Sequence, residues 1–150
     1  MQPAVRLATN ADIASWLEIV REVEPLFGPM PQFDITLTNN IARGIALCAG
    51  NGKGDVAGGL LLGGQAPDHW IRWLAVRRSA RGQGTGRALV EEAVARCPAP
   101  CTISLATFGA DNAQGKAARA LYQRLGFSAA ETLPRGPEGG TRQRFTLVRA

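Results

Sequence analysis

At 150 residues and 45% apolar composition, the chain has the length of one ordinary domain, residues 1–150, whose core needs no metal or disulfide to hold it. Its net charge of +5, with fifteen of seventeen basic residues arginine, points to an anionic partner, yet no helix-turn-helix, zinc-finger or RNP-like pattern argues for nucleic acid. No run approaches the ~20 apolar residues of a membrane span, and the opening MQPAVRLATN has no apolar leader, so a soluble, cytoplasmic protein without membrane contact is expected.

Residues 4–8 alternate weakly and predict a short strand. Asn10 or Asp12 then caps a helix whose Ile13, Trp16, Leu17 and Val20 keep helical spacing, with Pro25 helping to end it. After the proline-rich FGPMPQ, Phe33, Leu37 and Ile41 lie four apart and predict a second helix, with Gly44 as its stop. The period then changes. Residues 45–49, 56–62 and 70–76 predict three strands separated by turns of hairpin length. Residues 87–96 predict a helix with Leu89, Val90, Ala93 and Val94 on one face, stopped by Pro98. A buried strand over 102–107, a helix over 116–125 and two strands around the loop PRGPEGG complete the chain. This order predicts an α/β fold: a mixed, mostly antiparallel sheet of six or seven strands, with helices on both faces. Cys48, Cys97 and Cys101 are odd in number, and C-P-A-P-C matches neither a zinc nor a redox spacing, so buried, idle thiols are expected.

The stretch ARGQGTGRAL joins a strand to a helix and holds glycine at 82, 84 and 86 between Arg81 and Arg87, with Arg77 and Arg78 close by. The start of a helix offers unpaired N–H groups and the positive end of its dipole. Glycines let a phosphate approach that end, and the arginines add charge-assisted bonds. Two other phosphate loops are excluded. A dinucleotide fingerprint beginning at Gly82 needs glycine where Arg87 stands, and the stretch from Gly109 to Ala117 has the wrong spacing and no hydroxyl residue for a P-loop.

Arg81-Gly-Gln-Gly84-Thr-Gly86, after the strand W73-L-A-V76 and before the helix RALVEEAV, resembles the R/Q-x-x-G-x-G/A signature of the GCN5-related N-acetyltransferase (GNAT) superfamily. A120-L-Y122-Q-R-L-G126-F127 resembles that superfamily's A-L-Y-x-x-x-G-F segment, in the matching order, and with the element order the likeness covers residues 5–148. It implies an acetyl-CoA-dependent N-acetyltransferase, or failing that a noncatalytic acyl-CoA-binding module. By the same likeness, the backbone of Leu74, Ala75 and Val76 pairs with the pantetheine arm, and Arg81, Gly82, Gln83, Gly84, Thr85, Gly86 and Arg87 hold the pyrophosphate. A backbone N–H near Leu74 polarises the thioester carbonyl, the strand ending near Thr107 splays away to leave a cleft, and Tyr122 protonates the departing thiolate. The alternative for Tyr122, the only tyrosine, is a core aromatic on the stripe of Ala118, Leu121 and Leu125.

The likeness is incomplete in two places. Where many relatives carry asparagine, seven residues before the tyrosine, this chain has Gly115; Asn112 in a longer loop, with Lys116 beside it, is the substitute candidate for the cofactor. Relatives that place a carboxylate base on the fourth strand correspond to H69-W-I-R72, which has none, leaving Asp68, His69, Glu22, Glu24 or a water chain as candidates. Residues 10–34 carry five acids (Asp12, Glu18, Glu22, Glu24, Asp34) against Arg21, a polarity suited to drawing a small-molecule amine to the acceptor side. Trp16, Phe27, Phe33, Trp70 and Trp73 are expected to wall its apolar part. Acetylation of a protein or peptide N-terminus is the alternative, and a homodimer through the late strands is compatible with the fold.

Overall fold

The computed structural model describes residues 3–150. Its elements are β1 (Val5–Leu7), α1 (Ile13–Phe27), α2 (Phe33–Ala42), β2 (Ala46–Gly52), β3 (Asp55–Gln65), β4 (Asp68–Val76), α3 (Thr85–Ala95), β5 (Cys101–Phe108), α4 (Lys116–Arg124), β6 (Ser128–Leu133) and β7 (Arg142–Arg149). The seven strands form one sheet in the order β1-β2-β3-β4-β5-β7-β6. Every pairing is antiparallel except β4 with β5. The expected order of elements and the mixed sheet are both present.

Period-two alternation divides the core between the faces. Leu47, Leu60, Ile103 and Phe145 pack with Leu89 of α3 and Tyr122 of α4 on one side. On the other, Ala46, Cys48, Val56 and Leu61 pack with Trp16, Ile19 and Leu37 of α1 and α2. Close packing requires glycine in β3: a Cβ at Gly59 would stand 2.5 Å from the Trp16 ring. The three thiols are free and buried, and no helix of the described residues is long and apolar enough to cross a membrane.

Several boundaries differ from expectation. Proline 25 does not end α1, which runs to Phe27. So near the C-terminus its missing N–H forfeits one bond in the last turn, and the stop falls to Gly28, with φ of 88° and its N–H on Glu24 O at 2.8 Å. The helix expected from residue 87 begins at Thr85 with Gly84 (φ 83°) at its N-cap, placing Arg87 inside its first turn. The hairpin of β3 and β4 is also longer than expected, reaching Gln65 and restarting at Asp68.

Strand β4 contains one extra residue. Leu61 faces Trp73 and Leu62 faces Ile71, so Arg72 has no partner, which is a β-bulge. Residues of the same parity therefore change faces: Ile71 packs with the α3 and α4 side, Trp73 and Ala75 with α1 and α2.

Candidate active site

The parallel pairing of β4 with β5 covers only Asp68 to Ile71 against Thr102 to Leu105. Beyond Ile71 the strands part, while β5 stays paired with β7 as far as Phe108 and Arg142. Between them opens a cleft of about 300 Å³, lined by Leu74 of β4, Thr107 and Phe108 of β5, Ala118 and Tyr122 of α4, Phe27 at the end of α1, Arg142 at the start of β7, and Met30 and Pro137 of the flanking loops.

The polarity of the open edge follows from one bond. Arg77 N donates to Ala57 O at 2.7 Å, and alternation along β4 turns the backbone of Ala75 toward β3 and that of Val76 and Leu74 away from it, toward the parted side. The Val76 carbonyl already accepts from Arg81 Nε at 3.2 Å. Of the three strand residues, Leu74 and Val76 thus present main-chain groups to the cleft side, and Ala75 spends its own within the sheet.

At the end of β4 the chain turns through Gly82 (φ 76°) and Gly84 into α3. The amides of Gly82, Gln83, Gly84, Thr85, Gly86 and Arg87 have no acceptor among the described residues; the first intrahelical donor is Ala88, to Gly84 O at 3.0 Å. A Cβ at Gly82 would meet nothing within 4 Å, so the loop surface is open above that amide. Unpaired amides, helix dipole and exposed Arg81 together suit a pyrophosphate. Other side chains of the motif act structurally: Thr85 is buried at 4% exposure, and Arg87 pairs with Glu91 at 3.3 Å.

Helix α4 lies against the first turn of α3: a Cβ at Gly86 would stand 3.4 Å from Leu121. The next residue, Tyr122, is 6% exposed, its ring 5.9 Å from Phe127 and 6.2 Å from Phe145. It faces the cleft, its hydroxyl has no hydrogen-bond partner among the described residues, and burial pushes the phenol above its ordinary value.

Other expected positions stand elsewhere. The side chain of Asn112 accepts from Gln114 N at 3.0 Å and caps a turn; Lys116 is exposed at the start of α4, and neither lines the cleft. No carboxylate or histidine lines it, so Asp68, His69, Glu22 and Glu24 are not positioned there as bases. The acids of residues 10–34 are largely occupied: Glu18 pairs with Arg77 at 3.1 Å, Glu22 accepts from Arg78 N, and buried Asp12 takes Arg6 at 2.8 Å. Of the aromatic residues expected as a wall, Trp16 is fully buried and stacks beneath Trp73 at 5.8 Å, while Phe27 and Trp73 reach the cleft. Thr107 stands at the cleft, at the end of the strand expected to part; sequence reasoning missed Met30, Pro137, Arg142 and the bulged Arg72. The run W-I-R-W-L held a signal for the last, because apolar residues at 71, 73 and 74 break strict alternation.

A parted strand pair beside an amide-lined helix start defines an acyl-CoA-binding class of fold. The sequence pattern of the Acetyltransferase (GNAT) domain family matches residues 42–129, and the chain belongs to that family, whose acetyl donor is acetyl-CoA. Among solved structures it is similar to Ard1 from Thermoplasma volcanium (20% identity, TM-score 0.80, covering 99% of this chain and 98% of that one). It is also similar to the HPA2-related acetyltransferase of Corynebacterium glutamicum (21%, 0.74, 100% and 98%). A third likeness is to a chain of the NatC complex bound to Gag peptide and CoA (18%, 0.76, 100% of both). No protein of curated function matches the sequence.

Proposed function

We propose that the chain, acting as one catalytic unit in the cytoplasm, transfers the acetyl group of acetyl-CoA to a primary amine of a small molecule, by direct attack within a ternary complex. The amides from Gly82 to Arg87, with Arg81, hold the pyrophosphate, and the outward main chain of Leu74 and Val76 pairs with the pantetheine arm. The N–H of Leu74 stabilises charge on the thioester oxygen, a contribution that needs no side chain. As the amine nitrogen bonds to the acetyl carbon, the carbon–sulfur bond breaks and Tyr122 Oη gives its proton to the departing sulfur. With no carboxylate in the cleft, the amine loses its own proton to water.

The observation that carries the small-acceptor reading is the meeting of two loops beside the cleft. A Cβ at Gly28, after α1, would stand 2.9 Å from both Pro137 Cγ and Glu138 N of the β6–β7 loop. That contact bridges the acceptor end where an extended peptide needs an open groove. Calorimetry with acetyl-CoA, on the native protein and Gly84→Glu, tests the cradle: native binding that the added negative charge abolishes supports it. Thiol release is then followed with small amines and with peptides bearing free N-termini. Turnover of peptides alone would replace the small-acceptor reading, and acetyl-CoA binding without turnover of either would leave a binding module.

A further inference from the structure

The acceptor side holds two guanidinium groups with no counter-charge. A second groove, of about 380 Å³, lies between α2 and the β3–β4 hairpin and is lined by Thr36, Asn40, Arg43, Gly63, Arg72 and Trp73, among others. It adjoins the acetyl-transfer cleft, because Arg72 and Trp73 line both. Neither Arg43 nor Arg72 meets a carboxylate among the described residues. This contrasts with Arg142, the other arginine of the cleft, whose charge is met by Glu138 at 2.5 Å.

Arg72 is also held in place. It is the unpaired residue of the bulge, and its guanidinium carbon lies 5.2 Å from the centre of the Trp70 ring. Its stem crosses Gly63, where a Cβ would come within 2.8 Å of its Cγ and Nε. A side chain fixed by an aromatic face and a bare glycine has lost much of its rotamer freedom before any ligand arrives. A guanidinium so placed, without an acid, suits bidentate capture of a carboxylate.

We propose that Arg72, with Arg43 lining the same groove, seats a carboxylate borne by the acceptor, so that the amine substrate is an amino acid acetylated on a nitrogen remote from that carboxylate. The inference rests on the acetyltransferase reading above. The separation follows from the strand. Arg72 stands two residues, about 7 Å, from Leu74, where the thioester is polarised, and its side chain runs back toward Trp70, lengthening the span. An α-amino acid carries both groups on one carbon and cannot bridge it; an ω-amino acid, or a diamino acid reacting at its side-chain nitrogen, can. Arg72 is thereby a specificity-determining residue that takes no part in bond making.

The test compares ω-amino acids of increasing chain length with alkylamines of the same length lacking the carboxylate, by thiol release from acetyl-CoA. Wild-type protein is expected to favour the carboxylate-bearing member by about 10- to 100-fold in kcat/KM, mostly through KM. Arg72→Gln, which keeps much of the stem over Trp70, reduces that preference to less than about threefold, and Arg72→Lys restores part of it. Equal turnover of both series by the wild type, or an equal loss on both in Arg72→Gln, overturns this inference and leaves the acetyltransferase standing. If acetyl-CoA binds but no member of either series is acetylated, the small-amine function and this inference fall together.

Discussion

Replacing Tyr122 by phenylalanine separates two roles that one ring can fill. The ring is 6% exposed and sits against Phe127 and Phe145, contacts that phenylalanine keeps. The hydroxyl has no hydrogen-bond partner among the described residues, so its removal breaks no bond, and relieving a buried polar atom changes stability by a gain of between zero and about 1 kcal/mol. Turnover is a different matter. Burial keeps the phenol above its ordinary value, hence protonated throughout an assay range of about pH 6 to 9, ready to supply the sulfur as it leaves. Loss of a positioned general acid costs about 10²- to 10⁴-fold, equivalent to roughly 3 to 5 kcal/mol of barrier. Three measurements on Tyr122→Phe decide the matter: thermal unfolding, acetyl-CoA affinity by calorimetry, and thiol release at saturating donor. The expected pattern is unfolding unchanged or slightly later, unchanged affinity and turnover down by at least about a hundredfold. Turnover within about threefold of wild type would refute the proton-donor role and leave Tyr122 as a core aromatic.

Two further predictions concern titration. Because no carboxylate or histidine lines the cleft, kcat/KM should rise with pH along the ionisation of the acceptor amine itself, moving when the acceptor is changed. A second rising inflection below about pH 7, common to acceptors of different basicity, would reveal an enzymic base and sink this account. Asp12 is buried and accepts from Arg6 through both oxygens, and from Thr9 N and Gly54 N, each at 2.8 Å. The Arg6 side-chain hydrogen bonds are the largest cause of its depressed pKa. A folded value below the unfolded one means that its contribution is complete above the ordinary carboxylate range near 4 and is lost as pH falls toward the folded value. Asp12→Asn should therefore cost about 3 kcal/mol in urea unfolding at pH 7, and less at pH 3; an equal cost at both would show that its ionisation contributes nothing.

The order of elements was legible because periodicity changes sharply at known stops: a 3.6 period through Ile41, glycine at 44, then strands. Gly44 does adopt a positive φ, of 70°. Proline was a weaker guide. Within the last turn of α1 it removes one donor without changing direction, so the helix outlasts Pro25 by two residues. The run of unpaired amides proposed above as a phosphate cradle was legible because it is built from consecutive main-chain groups, a local feature that glycine spacing announces. The acceptor side was not, because its walls come from α1, β4, β5 and the β6–β7 loop, which only tertiary packing brings together. The acids of residues 10–34 illustrate the difference. Counted along the chain they form a negative patch; in the fold Asp12, Glu18 and Glu22 are matched by Arg6, Arg77 and the Arg78 amide. Local charge predicts a field only where tertiary partners do not cancel it.

The bulge at Arg72 and the parting of β4 from β5 are best understood together. Pairing with β5 stops at Ile71, the residue before the bulge, and an inserted residue raises local twist and bends the strand that carries it. Beyond that point β4 remains tied to β3 through Trp73, Leu74, Ala75 and Val76, while β5 remains tied to β7. The bend is therefore taken up on the one unconstrained line, between β4 and β5, and the cleft opens there. The same extra residue resets the alternation, so that Trp73 joins the α1 and α2 face and Leu74 packs toward α3 and α4. It also leaves Arg72 exposed over Trp70, at the boundary between cleft and groove. Cleft opening, main-chain polarity and the charge of Arg72 thus share one local irregularity, which is why a deletion that regularised β4 would impair the proposed donor and acceptor sites at once, whereas Arg72→Gln would alter the proposed acceptor site alone.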